Sequence, residues 1–204
     1  MALITNAIKG TLDLLPAESY KTQYVEAAVR EIAENFGFYE MRTPVFDHTE
    51  LFQRSVGETT DVVQKEMYTF SDKGGRSITL RPEGTAGAAR AFLENGLFNA
   101  PLPQKIYYLT SCYRYEKPQA GRLREFHQFG VEAFGAGAPA QDAEIIALAH
   151  TVFQYLGVKN LTLEINSIGC PECRQGFQKA LKADFEGYKA KLCDTCLSSL
   201  DRHP

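Results

Sequence analysis

Tyr113-Arg114-Tyr115-Glu116, Lys117-Pro118-Gln119-Ala120-Gly121-Arg122-Leu123-Arg124 and Phe126-His127-Gln128-Phe129-Gly130-Val131-Glu132 form one stretch of chain interrupted only by Glu125. The first tetrapeptide lies at the end of a Tyr-rich extended run that begins at Lys105, and the last segment lies within a second run, Glu125 to Phe134. A basic loop holding Pro118 and Gly121 joins them, so the two runs read as an antiparallel strand pair. Side chains two apart on a strand point to the same face. Arg114 and Glu116 therefore share a face, as do Gln128, Gly130 and Glu132 on the return strand. Arg114 can grip a phosphate with two parallel hydrogen bonds. Arg122 and Arg124 add positive charge from the loop. Phe126 offers a flat ring for a purine, where stacking contributes about 1–3 kcal/mol.

A surface hairpin with solvated charges would carry the same Arg-x-Glu pattern, because exposed charges are common. A second element argues for more. Met67–Phe70 and Ser77–Leu80 look like strands joined by the turn Asp72-Lys73-Gly74-Gly75. Arg81-Pro82-Glu83-Gly84-Thr85 then breaks the second strand, and an Ala-rich helical pattern follows from Ala86 to Glu94, with Thr85 as its expected N-cap. An acid and a hydroxyl thus sit at a strand-to-helix break, a place where scaffolds present functional groups.

Upstream, Tyr20, Tyr24, Ala27, Ala28, Ile32 and Phe36 recur at spacings of three and four, giving a helix with Gly37 as its C-cap. Phe38–Val45 reads as a short extended segment and Leu51–Lys65 as irregular or weakly helical. Gln141–Leu156 reads as a helix capped by Gly157, and Leu161–Asn166 as a further strand. Helices and hairpin-connected strands in this order imply an α+β fold: an antiparallel sheet with helices on one side. Neither G-x-x-x-x-G-K-[ST] nor G-x-G-x-x-G occurs, so a bound nucleotide would be held by side chains.

The net charge of -3, from 22 Lys and Arg against 25 Asp and Glu, argues against a protein built mainly to coat nucleic acid and leaves room for a local basic patch. No apolar run is long enough to span a bilayer, and residues 1–11 do not resemble a secretory signal, which implies a cytoplasmic protein. Cys112 lies among apolar neighbours and is expected to be buried and unreactive. The other cysteines form two pairs, Cys170/Cys173 and Cys193/Cys196, separated by 19 residues. That spacing fits a four-thiolate zinc site, and no thioredoxin-like β-α-β context surrounds either pair to favour redox chemistry. The alternative is a set of reduced, metal-free thiols. His127 should face away from Gln128 and be structural.

The ordered matches go further. Arg81–Thr85 resembles the Leu-Arg-Pro-Glu-Gly-Thr signature of histidyl-tRNA synthetases, and Tyr113–Glu116 with Pro118–Gly130 resembles that family's second class II motif. Gly10–Pro16 is similar to its opening, and the first helix with Pro44 to its first motif, which lies at the family's dimer interface. Gly57–Asp61, Lys65–Phe70 and Phe126–Gly130 also match. The resemblance runs from about Ile8 to Asn166. It implies a class II synthetase catalytic domain over residues 1–166 and the start of an insertion over residues 167–204. It also implies roles. Glu83, Thr85 and Gln128 would hold the α-ammonium of L-histidine, and Glu132 would face the imidazole. Arg114 would bind the α-phosphate and the substrate carboxylate. Glu116 would accept from the adenine amino group, Phe126 would stack on adenine, and Arg122 would steady the distal phosphates. ATP with Mg, histidine tRNA and a homodimer are the implied ligands and assembly. Segments of the family that lie downstream have no match, so the chain is expected to end inside the insertion and to be poorly active alone, with an unpaired sheet edge. The competing reading is a histidine-binding regulatory subunit of ATP phosphoribosyltransferase, which would have no need of Arg114, Glu116, Arg122 and Phe126 as an ATP grip. A synthetase-like domain of a stress kinase is a weaker third.

Overall fold

The structure is a computed structural model and describes residues 5–57, 60, 62–167, 169–193 and 196–197. Glu58, Thr59 and Asp61 of one matched motif, and the C-terminal His203, lie outside the described residues. The chain divides into two compact units, Met1–Lys159 and Asn160–Pro204.

The first unit opens with helix α1 (Pro16–Asn35), followed by the short strands β1 (Tyr39–Glu40) and β2 (Phe46–His48) and helix α2 (Thr49–Val56). A π turn (Val62–Glu66) leads into the hairpin of β3 (Thr69–Ser71) and β4 (Ser77–Leu80). Helix α3 (Thr85–Glu94) comes next, then the long hairpin of β5 (Gln104–Tyr113) and β6 (Glu125–Phe134), and helix α4 (Pro139–Tyr155).

Local chemistry accounts for the boundaries. Pro16 and Pro139 start α1 and α4, where a missing N–H does no harm. Gly37, at φ +79°, ends α1: its N–H bonds Glu34 O, and the Phe38 N–H bonds Ala33 O. The β3–β4 turn is tied by Asp72, whose Oδ1 accepts from the N–H of Gly74 at 2.8 Å and of Arg76 at 2.9 Å.

Strands β5 and β6 pair along their whole length, from Gln104 opposite Phe134 to Tyr113 opposite Glu125. β1 joins the other side of β5 in parallel, and β2, β4 and β3 make a separate antiparallel sheet. The single antiparallel sheet expected from the sequence is therefore two sheets with one parallel pair. β1 arrives from a helix, so no tight turn dictates its direction.

The two faces of the β5–β6 pair differ. Tyr107, Leu109, Phe129 and Val131 pack against α1 and α4 through Val29, Ile32, Ala33, Leu148 and Val152. Tyr20, Tyr24 and Ala27 are not in that buried stripe; the buried residues of α1 are Ala28, Val29, Ile32 and Ala33, in its second half, where the sheet and α4 meet it. On the other face α3 covers part of the sheet, with Ala88 against Ile106 and Tyr108, and Phe92 stacked on Phe134 at 4.3 Å. Helices thus lie on both faces, and the uncovered remainder of the second face carries the candidate site residues Gln128 and Glu132.

In the second unit, α5 (Pro171–Glu186) follows Cys170, and it buries none of its residues. Leu161–Asn166 does not form the expected strand: it has no ladder partner among the described residues, and Leu161, Leu163 and Ile165 are exposed. Alternation makes a strand only when a neighbour satisfies its backbone groups.

Candidate active site

Three pieces of chain meet on the open face: the β4–α3 break, the face of the β5–β6 pair that carries Gln128 and Glu132, and the basic loop. At the break, Glu83 does the work expected of Thr85. Its Oε2 accepts from the Thr85 N–H, and its Oε1 from the Ala86 N–H at 2.8 Å. A carboxylate at a helix N-terminus satisfies orphan donors and complements the dipole. The Thr85 hydroxyl is left exposed and lies 3.2 Å from the hydroxyl of Tyr108.

Across the strands, register aligns Cys112 with Phe126, Thr110 with Gln128, Tyr108 with Gly130 and Ile106 with Glu132. Tyr108 is buried, and its hydroxyl donates to Glu132 Oε1 at 3.2 Å. Burial raises the Tyr108 pKa most; the Thr85 hydrogen bond pulls it down, and the Glu132 carboxylate pushes it up again. Gln128 Oε1 accepts from the Gly84 N–H at 2.9 Å and from the Cys112 thiol at 3.4 Å. A backbone N–H can only donate, so it fixes which end of the Gln128 amide faces Gly84. Cys112 is fully buried, as expected, and burial pushes its thiol up to about 11.

Arg114 is held by its Nε, which donates to Pro82 O at 2.9 Å, and its guanidinium carbon lies 5.2 Å from the centroid of the Phe126 ring. Its Nη1 is 3.9 Å from Glu116 Oε1, and Arg122 Nε is 3.2 Å from Glu116 Oε2. The loop turns over Ala120-Gly121, with Gln119 and Arg122 bonding each other's backbone at 3.1 and 2.9 Å and Gly121 at φ +76°. Arg124 borders this cluster: its Nε donates to the backbone O of Glu116 at 3.3 Å, and its guanidinium lies 4.0 Å from the Tyr115 ring centroid. Its backbone N–H donates to Gly10 O at 2.7 Å, tying the N-terminal segment to the loop. His127 is exposed and sits 3.5 Å from Ser111 Oγ, across the strand from Gln128's side chain.

The site thus separates into a carboxylate-lined end (Glu83, Thr85, Gln128, Glu132) and a cationic end with an aromatic ring (Arg114, Arg122, Phe126). Such a division suits a ligand carrying an amine at one end and phosphates at the other. Residues 10–173 match the family described as Histidyl-tRNA synthetase. The chain belongs to the histidyl-tRNA synthetase family.

Among relatives of the synthetase family, the chain is 57% identical over 202 residues to a Histidine--tRNA ligase of Alkaliphilus oremlandii, covering 99% of this chain and 48% of that protein. It is 59% identical over 198 residues to a Histidine--tRNA ligase of Caldicellulosiruptor saccharolyticus, covering 97% and 47%. The crystal structure of apo S. aureus histidyl-tRNA synthetase superposes with a TM-score of 0.77 at 40% identity, over 98% of this chain and 47% of that one. The chain spans about half the length of the curated synthetases it matches, and the class II fold is shared.

Sequence reasoning did not place Tyr108 and Cys112 beside the candidate site, where they contact Thr85, Glu132 and Gln128. The period-two rule applied backwards from Arg114 reaches both. The cysteine pairs lie in the second unit. Cys170 and Cys173 sit at the start of α5 with sulfurs 3.2 Å apart, and the Cys173 N–H is the main influence lowering the Cys170 pKa. Cys196 is hydrogen-bonded to Cys193, which raises its pKa. Among the described residues no three His, Cys, Asp or Glu side chains gather into a metal-holding group, so the structure does not bring the two pairs together. Nor does any helix have the length and apolarity to cross a membrane, among the described residues.

Proposed function

We propose that this chain is the first part of the catalytic domain of an ATP-dependent histidine–tRNA ligase. Glu83 and Thr85 accept from the α-ammonium of histidine. Gln128 borders the same group, and its oxygen can take an ammonium proton by releasing the weak thiol donor of Cys112. Glu132 faces the imidazole N–H; an amino acid lacking that donor leaves a buried acceptor unpaired and is rejected. The histidine carboxylate attacks the α-phosphorus of ATP, the bond to the bridging oxygen breaks, and pyrophosphate leaves. A hydroxyl of the 3′-terminal ribose of histidine tRNA then attacks the carbonyl of the adenylate, and AMP leaves. Arg114 stabilises charge on the α-phosphate, Arg122 the distal phosphates, and Phe126 stacks on adenine beside Glu116. Magnesium enters with the ATP, held mostly by phosphate and water.

The observation that carries this reading is the Arg114–Phe126 pair at 5.2 Å beside the carboxylate-lined end. It also favours a ligase over a histidine-binding regulator, which needs no purine platform. A homodimer in the cytoplasm completes the proposal. Support for the dimer is the exposure of Leu12, Leu14, Tyr39 and Phe46, apolar residues in and around the segments that resemble the family's opening and first motif. Calorimetry of histidine and ATP binding tests the function, with tRNA charging measured on the protein at its natural length. The expected result is that both ligands bind and that Arg114→Ala abolishes ATP binding. Histidine binding with no ATP binding in any form of the protein would install the regulator instead.

A further inference from the structure

We propose that Tyr108 is a positioning residue for histidine selectivity: its hydroxyl sets which lone pairs Thr85 and Glu132 turn toward the amino acid. The inference rests on reading Thr85 and Glu132 as histidine ligands. It starts from a chain of three oxygens, with 3.2 Å from Thr85 Oγ1 to Tyr108 Oη and 3.2 Å from Tyr108 Oη to Glu132 Oε1. A carboxylate can only accept, so the tyrosine proton must point at Glu132. The tyrosine oxygen is then the acceptor in the first link, and the Thr85 proton must point at Tyr108. That leaves the lone pairs of Thr85 facing outward, where an α-ammonium needs them. It also leaves Glu132 Oε2 as the oxygen free for an imidazole N–H.

The tyrosine is fixed for this task from both sides. An added Cβ on Gly84 would lie 2.2 Å from Tyr108 Cε2, and one on Gly130 would lie 2.3 Å from Tyr108 Cζ and Oη. Gly84 has φ -97°, which any residue adopts, so the glycine is there to make room for the ring. The phenol is buried and its pKa is raised, so it keeps the proton on which the directional chain depends. Without that hydroxyl, Thr85 can turn its own proton into the site, and the Glu132 side chain loses the hydrogen bond that tethers it to Tyr108.

The test is Tyr108→Phe in the protein at its natural length, which removes one oxygen and keeps the ring between the two glycines. Histidine-dependent pyrophosphate exchange gives KM for histidine and for ATP. Parallel assays with thiazolylalanine, whose ring lacks an N–H, give the selectivity. The expected result is a rise in histidine KM of about tenfold, a fall in selectivity of similar size, and an unchanged ATP KM. An active parent protein with a Phe variant that matches it in KM and selectivity overturns the proposal. So does a variant that loses histidine and ATP affinity equally with a lowered Tm, which is the signature of a packing role. A parent protein with no histidine-dependent exchange overturns the functional reading itself, and that failure is distinct because it appears before any substitution.

Discussion

At the scale of single residues, the two ends of the site differ in how they are built. The cationic end is built from present side chains: Arg114, anchored by Pro82 O and laid beside Phe126, and Arg122, paired with Glu116. The carboxylate-lined end depends on absent atoms, the Cβ positions of Gly84 and Gly130, as much as on present ones. Gly84→Ala isolates that dependence. The new methyl meets three Tyr108 ring atoms between 2.2 and 2.8 Å away, and the ring cannot withdraw because Gly130 presses from the other strand. Overpacking of this kind costs about 1–3 kcal/mol. Urea denaturation of Gly84→Ala is expected to show that loss together with weakened histidine binding. A variant of parental stability would mean that the ring has room the structure does not show.

At the scale of elements, what the sequence disclosed followed local chemistry. Gly37 and Gly157 end their helices where the periodicity stops, each through the paired backbone bonds of a left-handed C-cap. This permits a contrast with Gly84. At Gly37 an added Cβ would meet only Lys105 Nζ, at 3.6 Å, so space is no obstacle, but φ is +79°. Gly37→Ala therefore pays only the left-handed conformation, about 1 kcal/mol, seen as a lower urea midpoint with unchanged histidine and ATP affinity. The pairing of the long hairpin was legible, and with it the placing of Gln128, Gly130 and Glu132 on one face; its first strand, read as running to Tyr115, stops at Tyr113, so Arg114 and Glu116 lie past its end and the strand's alternation does not place them. Elements that depend on distant partners were not legible. Leu161–Asn166 has the alternation of a strand and lacks a neighbour among the described residues, so its pattern could not decide its state. The parallel pairing of β1 with β5 joins residues far apart in sequence, and no local signal encodes it. Tyr108 was overlooked for a related reason: a tyrosine in a Tyr-rich strand looks like core until its partners across the sheet are known.

At the scale of the whole molecule, the five cysteines report on two very different environments, and thiol reactivity can read both at once. Attack on a disulfide reagent requires the thiolate and requires access. Cys112 fails on both counts, since it is buried beside Gln128 and its thiol is pushed up to about 11. Cys170, Cys173, Cys193 and Cys196 are all exposed, and the Cys170 pKa is lowered. At pH 8, an aromatic disulfide reagent is expected to modify the four exposed thiols in a fast phase, within which Cys196 lags because its pKa is raised, and Cys112 only as the protein unfolds, so the slow phase should accelerate with urea while the fast phase does not. Raising the pH toward 11 should quicken the slow phase only modestly, because ionisation removes one obstacle and leaves the packing. The same experiment bears on the zinc spacing. If the two pairs stay apart, as in the structure, adding a chelator leaves the fast phase unchanged. If a metal draws them together, the four fast thiols become slow and the chelator restores them, and the second unit then owes its order to that metal in place of the buried core that α5 lacks.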